Sequence, residues 1–185
     1  MKAHFKENIL LRRVQHEQDA DAYGELYDAY VSRIHRFVMI KVSHRDIAED
    51  IVSDIFLKTW NYLTQDIKGR REQVGSFSGL VYRIARFTLI DYYRTNKKKY
   101  EVSLENVGDI VVESHIVESI YVSQESERII AVIKKMKREY QEIILLRYIE
   151  DMSIAEIAHI LEKKQTNVRV TLHRAVRILK NLLNV

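Results

Sequence analysis

Gln165, Asn167, Arg169, Val170, His173, Arg174 and Arg177 crowd into one short stretch near the end of a 185-residue chain. Amides and guanidinium groups can read nucleic-acid base edges: arginine pairs two-pronged with guanine, and glutamine or asparagine with adenine. They can do so only if a helix holds them on one side. Val168, Leu172, Ala175, Val176 and Leu179 recur at steps of three and four. That period predicts a helix over 165–183 whose apolar stripe turns inward and leaves the polar set outside. Just upstream, Ile154, Ile157, Ala158 and Leu161 predict a shorter helix over 153–161. Ser153 can cap it, with Glu156 at the capping-box spacing. Two helices separated by so tight a bend form a helix-turn-helix pattern, in which the second helix lays its first side chains in the major groove. Every surface helix is polar outside, so the pattern alone also fits an ordinary solvated helix.

The rest of the chain has the same helical character. There are no prolines and only five glycines. Those residues punctuate strands and turns, so their scarcity predicts an all-α protein with short connections. Tyr23, Leu26, Tyr27, Tyr30, Ile34, Phe37 and Val38 trace a helix over 19–40. Ile47, Ile51, Ile55, Phe56 and Leu57 trace another over 44–63, with Ser43 as its candidate cap. Leu80, Val81, Ile84, Phe87 and Ile90 trace a third over roughly 77–95, after a polar loop at 64–76. Residues 101–124 break the helical period. Helices resume at about 125–136 and 138–150.

Charge divides the chain in three. Residues 1–100 hold 18 basic and 13 acidic side chains, 101–124 hold none and 5, and 125–185 hold 12 and 8. Two small basic domains, 1–100 and 125–185, are therefore expected on either side of an acidic linker at 101–124, and basic bodies suit a polyanionic partner. No apolar run approaches the roughly 18 residues of a membrane span, so membrane insertion is not expected. The first residues, MKAHFKENILLRRVQ, lack the apolar core of a signal peptide, and the cytoplasm is the expected compartment. Cysteines are absent and the seven histidines are scattered. No metal site, phosphate-binding glycine loop or nucleophile elbow is visible, so neither catalysis nor a cofactor is expected.

Four segments read together narrow the possibilities. AEDIVSDIFLKTW (48–60), FSGLVYRIARFTLIDYYR (77–94), YQEIILLRYIEDMSIAEIAHIL (140–161) and VRVTLHRAVRILK (168–180) resemble bacterial RNA polymerase sigma factors, specifically the small two-domain extracytoplasmic-function (ECF) group. The resemblance implies a sigma region 2-like domain that binds core polymerase and the −10 element, and a region 4-like helix-turn-helix domain that binds the −35 element. It places Asp50, Ser53, Asp54 and Leu57 on the helix that docks the polymerase clamp. It places Tyr82, Arg83, Arg86, Phe87 and Arg94 along the −10 strand, with Tyr92 and Tyr93 beside them. A cationic track with aromatic rings suits strand capture, because phosphates pair with arginine and splayed bases stack on rings. A flipped-base pocket would lie between this helix and Lys68, Arg70 and Arg71 of the 64–76 loop. The family places Arg169, Val170, His173 and Arg174 toward the −35 bases, within the exposed set derived above; Arg147, Lys163 and Lys164 are better candidates for phosphate contacts.

The resemblance also implies RNA polymerase core enzyme and promoter DNA as partners, and an anti-sigma factor as a regulator. The acidic linker would thread a basic channel of the polymerase, or act as a simple tether. The sequence departs from the family at several points. Leu80 stands for a usual Trp, Phe87 for Asn, Ser53 for Gln, Lys137 for Pro, and Asp151 and Glu162 for Gly. A stand-alone helix-turn-helix regulator is the alternative expectation, and it predicts tight palindromic binding without polymerase.

Overall fold

The computed structural model describes residues 2–42, 44–65, 74–95 and 124–183. Every element among them is helical. The chain forms two compact units, Met1–Arg94 and Thr95–Val185. The 101–124 linker lies outside the described residues, apart from Gln124, the first residue of the next helix.

The first unit holds α1 (Lys2–Glu17), α2 (Ala20–Lys41), α3 (Arg45–Thr64) and α4 (Phe77–Thr95). α1 lies outside the helices expected from periodicity. Among the residues whose burial is described it buries Leu10, Leu11, Val14 and Gln15 and exposes Phe5 and Ile9, so its apolar signal is short. Asp19 ends the break between α1 and α2. Its carboxylate accepts from Ala22 N–H at 3.0 Å and from the Arg13 guanidinium. Those bonds, the Ala22 N–H foremost, hold its carboxyl below the usual aspartate range.

The core of this unit is aromatic. Phe77 meets Tyr30 and Tyr23 at ring distances of 5.2 and 6.2 Å, and Tyr82 meets Phe37 edge-on at 5.3 Å. Tyr23 packs on Trp60 and donates its hydroxyl proton to the Phe56 carbonyl. Burial raises the Tyr23 phenol well above its ordinary value, so it stays a donor. The expected stripes need correcting at four places: Tyr27, Leu57, Phe87 and Ile90 are exposed, Leu57 most of all at 61%. On α4 the inward phase is set instead by Phe77, Val81, Tyr82, Ala85, Thr88 and Leu89. His44, with no side-chain capping bond, precedes α3; Ser43 lies outside the described residues.

The second unit holds α5 (Gln124–Lys135), α6 (Arg138–Ile144), a π-helical turn (Leu145–Ile149), α7 (Ile154–Leu161) and α8 (Gln165–Leu183). Gln141 is buried and donates to the carbonyls of Lys134 and Met136 at 2.9 Å each, closing the end of α5. The π turn lets α6 continue to Glu150 before Asp151, at φ 51°, reverses the chain. The capping box at α7 is complete: Glu156 N–H donates to Ser153 Oγ at 3.2 Å, and Ser153 N–H donates to the Glu156 carboxylate at 2.8 Å. Ile143, Ile144, Leu145, Leu146, Ile157, Ile160 and Leu161 form the core, and Val168 and Ala175 bring α8 onto it.

Candidate nucleic-acid interface

The bend between α7 and α8 is made by Glu162, Lys163 and Lys164. Glu162 takes the left-handed conformation, φ 54° and ψ 41°, which glycine adopts most easily. Lys163 N–H then donates to the Ala158 carbonyl at 2.9 Å, the wide closure that ends such helices. The Lys163 ammonium is ion-paired with Glu139 at the start of α6. Arg147 donates to the Met152 carbonyl at 2.7 Å and so braces the turn ahead of α7. Both cations thus have partners within the motif and help to hold it together. Lys164 remains exposed.

α8 leaves its expected set outside. Gln165, Asn167, Arg169, Val170, His173, Arg174 and Arg177 are all exposed. They form two rows: Gln165, Arg169, His173 and Arg177 at steps of four, and Asn167, Val170 and Arg174 beside them. None of the three arginines forms an ion pair among the described residues. The expected buried stripe is shallower than its period suggests, since only Val168 and Ala175 are fully buried while Leu172, Val176 and Leu179 are half-buried.

The first unit presents a different surface. Tyr82 is completely buried, so its expected contact with DNA is corrected to a core role against Phe37. Arg83 reaches across to α3, where it donates to the Tyr62 hydroxyl at 3.4 Å with its guanidinium 5.9 Å from that ring. Arg86 lies 5.5 Å from the Phe87 ring. Arg94 pairs with Asp91 at 3.1 Å. Tyr92 and Tyr93 meet edge-on, and the Tyr93 hydroxyl donates to the Lys41 carbonyl. Between α3 and α4 lies a shallow cleft of ≈ 230 Å³, lined by Lys58, Tyr62, Ile84, Phe87, Thr88 and Asp91. Lys58 and Tyr62 are absent from the set expected from sequence. Their signal is a cation and an aromatic four residues apart on α3, out of phase with its apolar stripe.

The expected docking set lies on α3. Asp50, Ser53 and Leu57 are exposed at steps of three and four, and Asp54 is half-exposed beside them. Ser53 Oγ donates to the Glu49 carbonyl, and Asp54 pairs with Lys58 at 2.7 Å. Lys58 also reaches Thr88 Oγ1 at 3.4 Å, so the acidic row and the aromatic cleft adjoin. Lys68, Arg70 and Arg71, and with them the expected flipped-base pocket, lie outside the described residues. Among the described residues there is no acid, histidine or cysteine cluster able to hold a metal ion. No described helix is long and apolar enough to cross a membrane.

Comparison with known proteins agrees with this layout. The pattern of Sigma-70 region 2 matches residues 26–99, and that of Sigma-70, region 4 matches residues 126–179. The ECF RNA polymerase sigma factor SigW of Bacillus subtilis (strain 168) is 30% identical over 175 residues, covering 89% of this chain and 90% of SigW. The ECF RNA polymerase sigma factor BldN of Streptomyces coelicolor is 28% identical over 167 residues; these cover 89% of this chain and 61% of BldN. In fold, the chain resembles CnrH in complex with the cytosolic domain of CnrY, at a TM-score of 0.69 and 20% identity over 97% of both chains. It also resembles the sigma factor RpoE in complex with the anti-sigma factor NepR from Bartonella quintana. There the TM-score is 0.66 at 20% identity, covering 88% of this chain and 97% of RpoE. Two sigma regions in order, and a relative matched over nearly its whole length, make one conclusion direct: the chain belongs to the ECF RNA polymerase sigma factors.

Proposed function

We propose that the chain binds core RNA polymerase and directs promoter recognition and opening, with the reading of DNA divided between its two units. Residues 1–100 dock the polymerase and take the −10 strand, and residues 125–185 read the −35 element. Asp50, Ser53 and Asp54 offer a polar, acidic helix face to a basic partner helix, and exposed Leu57 adds an apolar anchor. Arg83, Arg86, Phe87 and Arg94 then receive the opened strand, with Lys58 and Tyr62 walling the adjacent cleft. Gln165, Asn167, Arg169, Val170, His173, Arg174 and Arg177 face the −35 bases. The role asks for no catalytic group and no cofactor, and its place is the cytoplasm.

The observation that carries the reading is the outer face of α8. A helix-turn-helix presents amides and three arginines without ion pairs among the described residues, the side-chain types that read base edges in a major groove. Regulation by an anti-sigma factor is part of the proposal, because the two solved sigma-like structures named above are such complexes or complexes with a cytosolic partner domain. Exposed Leu57 and Phe87 are the apolar contacts such a partner would cover.

In vitro transcription with core polymerase and a random promoter library tests the reading. The expected result is a set of start sites sharing two spaced elements, chosen only when the chain is present. Tight binding to a palindrome without polymerase, and no start-site choice with it, would instead favour a stand-alone regulator.

A further inference from the structure

The first turn of α4 has backbone N–H groups that no carbonyl of its own helix can accept. Ser76 satisfies one of them, since its Oγ accepts from Gly79 N–H at 3.1 Å. The other two are satisfied from a distant part of the chain. Glu7 Oε1, on α1, accepts from Phe77 N–H at 3.1 Å and from Ser78 N–H at 3.4 Å. The second oxygen of the same carboxylate accepts from the Tyr30 hydroxyl of α2 at 2.5 Å. Leu80 N–H begins the regular pattern by donating to the Ser76 carbonyl at 3.2 Å. The hydrogen bonds of this helix start are therefore fully accounted for, and Glu7 supplies the larger share.

Three further features mark this as a built joint. The Glu7 charge lies at the positive end of the α4 dipole. Phe77, whose N–H it accepts, is wholly buried, and its ring packs 5.2 Å from the ring of Tyr30. Tyr30 is buried as well, and that burial, with the Glu7 bond next, raises its phenol above the ordinary range and keeps it a donor.

We propose that Glu7 is a positioning residue for DNA capture: through α1 it fixes the first turn of α4, and so the placement of Arg83, Arg86 and Phe87. The inference rests on the proposed role of α4 at the −10 strand. Without the carboxylate, two amides beside a buried ring lose their acceptor. The first turn then frays to reach water, Phe77 leaves its place between Tyr23 and Tyr30, and the outward residues one and two turns later lose their register. α1 thus acts as a brace on the reading helix although none of its residues needs to touch DNA.

The full chain with core polymerase provides the test. Glu7→Ala removes both acceptor and charge, Glu7→Gln keeps an acceptor, and Tyr30→Phe removes the bond that orients the carboxylate together with the hydroxyl's bond to the Ser78 side chain. Three quantities are measured for each: amide exchange at Phe77 and Ser78, affinity for core polymerase, and affinity of the holoenzyme for a forked template with an exposed −10 strand. In Glu7→Ala, exchange at the two amides should rise and fork capture should fall roughly tenfold, the scale of one lost charged hydrogen bond. Core binding should be unchanged, and Glu7→Gln should recover most of the loss. The idea is overturned if the two amides exchange as in the parent, or if core binding falls in proportion to fork capture. Recovery of nothing by Glu7→Gln would also count against it. Failure of the parent chain to bind core polymerase would be a separate result, against the sigma reading itself, and the exchange data would still decide whether Glu7 caps α4.

Discussion

α4 and α8 are both 19 residues long, yet α4 buries eight of them and α8 only two. α4 runs through the core of its unit and shows a narrow outer strip. α8 lies on its unit through Val168 and Ala175 and stands proud along most of its length. Their arginines differ in the same way. Those of α4 are already engaged, with Tyr62, the Phe87 ring and Asp91. Those of α8 have no ion pair among the described residues. A helix that must enter a groove needs width and unspent donors. A helix that must receive a flexible strand is better served by rings with cations already stacked nearby. The contrast supports the proposed division, with duplex reading at α8 and strand capture at α4.

The largest test of that contrast is stability. Phe77→Ala should destabilise the first unit by about 3–5 kcal/mol, because a buried aromatic side chain leaves a cavity. Val168→Ala should cost the second unit less, about 1–2 kcal/mol, and truncating half-buried Leu179 less still. Denaturant melts of the variants measure all three. Equal costs at Phe77 and Leu179 would erase the distinction between a core helix and a surface-laid one.

Arg174→Ala comes next. If it reads a base, promoter affinity should fall by about 1–3 kcal/mol for sequences matching the −35 element, and discrimination at one position should relax. If it meets a phosphate instead, the loss should be uniform across sequences. The salt dependence of binding should then drop by about 0.9 log units per log unit of salt. Binding assays of the holoenzyme on a panel of −35 variants separate the two outcomes.

Tyr62→Ala probes the other helix. It should weaken capture of an exposed −10 strand by about 1 kcal/mol, the low end of the stacking range, since the ring walls an open cleft. Tyr62→Phe should keep the stacking and lose the bond from Arg83. Neither change should alter the response to −35 substitutions. A shift in −35 preference would mean that the two faces do not act separately.

Much of this layout is legible in the sequence, and the exceptions have physical causes. Seven helices follow from three-and-four spacing, because long stripes such as Leu26 to Val38 average out local noise. α1 does not, because its buried residues are few and Phe5 and Ile9 point outward. The proposed −35 face is readable because its polar residues lie opposite an apolar stripe. The proposed −10 face is only partly so. A tyrosine serves equally as core or as stacking platform, and Tyr82 proves to be core while Tyr62, on another helix, lines the cleft. Arg147 and Lys163 look like surface cations in sequence, and only the folded backbone shows the carbonyl and the carboxylate that engage them.

The smallest expected effect concerns the bend that lets α8 stand proud. Glu162 holds a left-handed conformation at φ 54°, which costs a residue with a Cβ about 1–2 kcal/mol. Glycine relieves that cost but gains freedom in the unfolded chain, which returns about 0.4–1 kcal/mol. The Glu162 side chain is exposed, so its loss removes little packing. Glu162→Gly should therefore stabilise the second unit by roughly 0.5–1 kcal/mol, seen as a rise in its unfolding midpoint. Because the backbone already has the geometry glycine prefers, −35 selectivity should stay as it is. If selectivity weakens while stability rises, the glutamate is stiffening the bend, and the placement of α8 depends on that strain as well as on the Glu139–Lys163 pair.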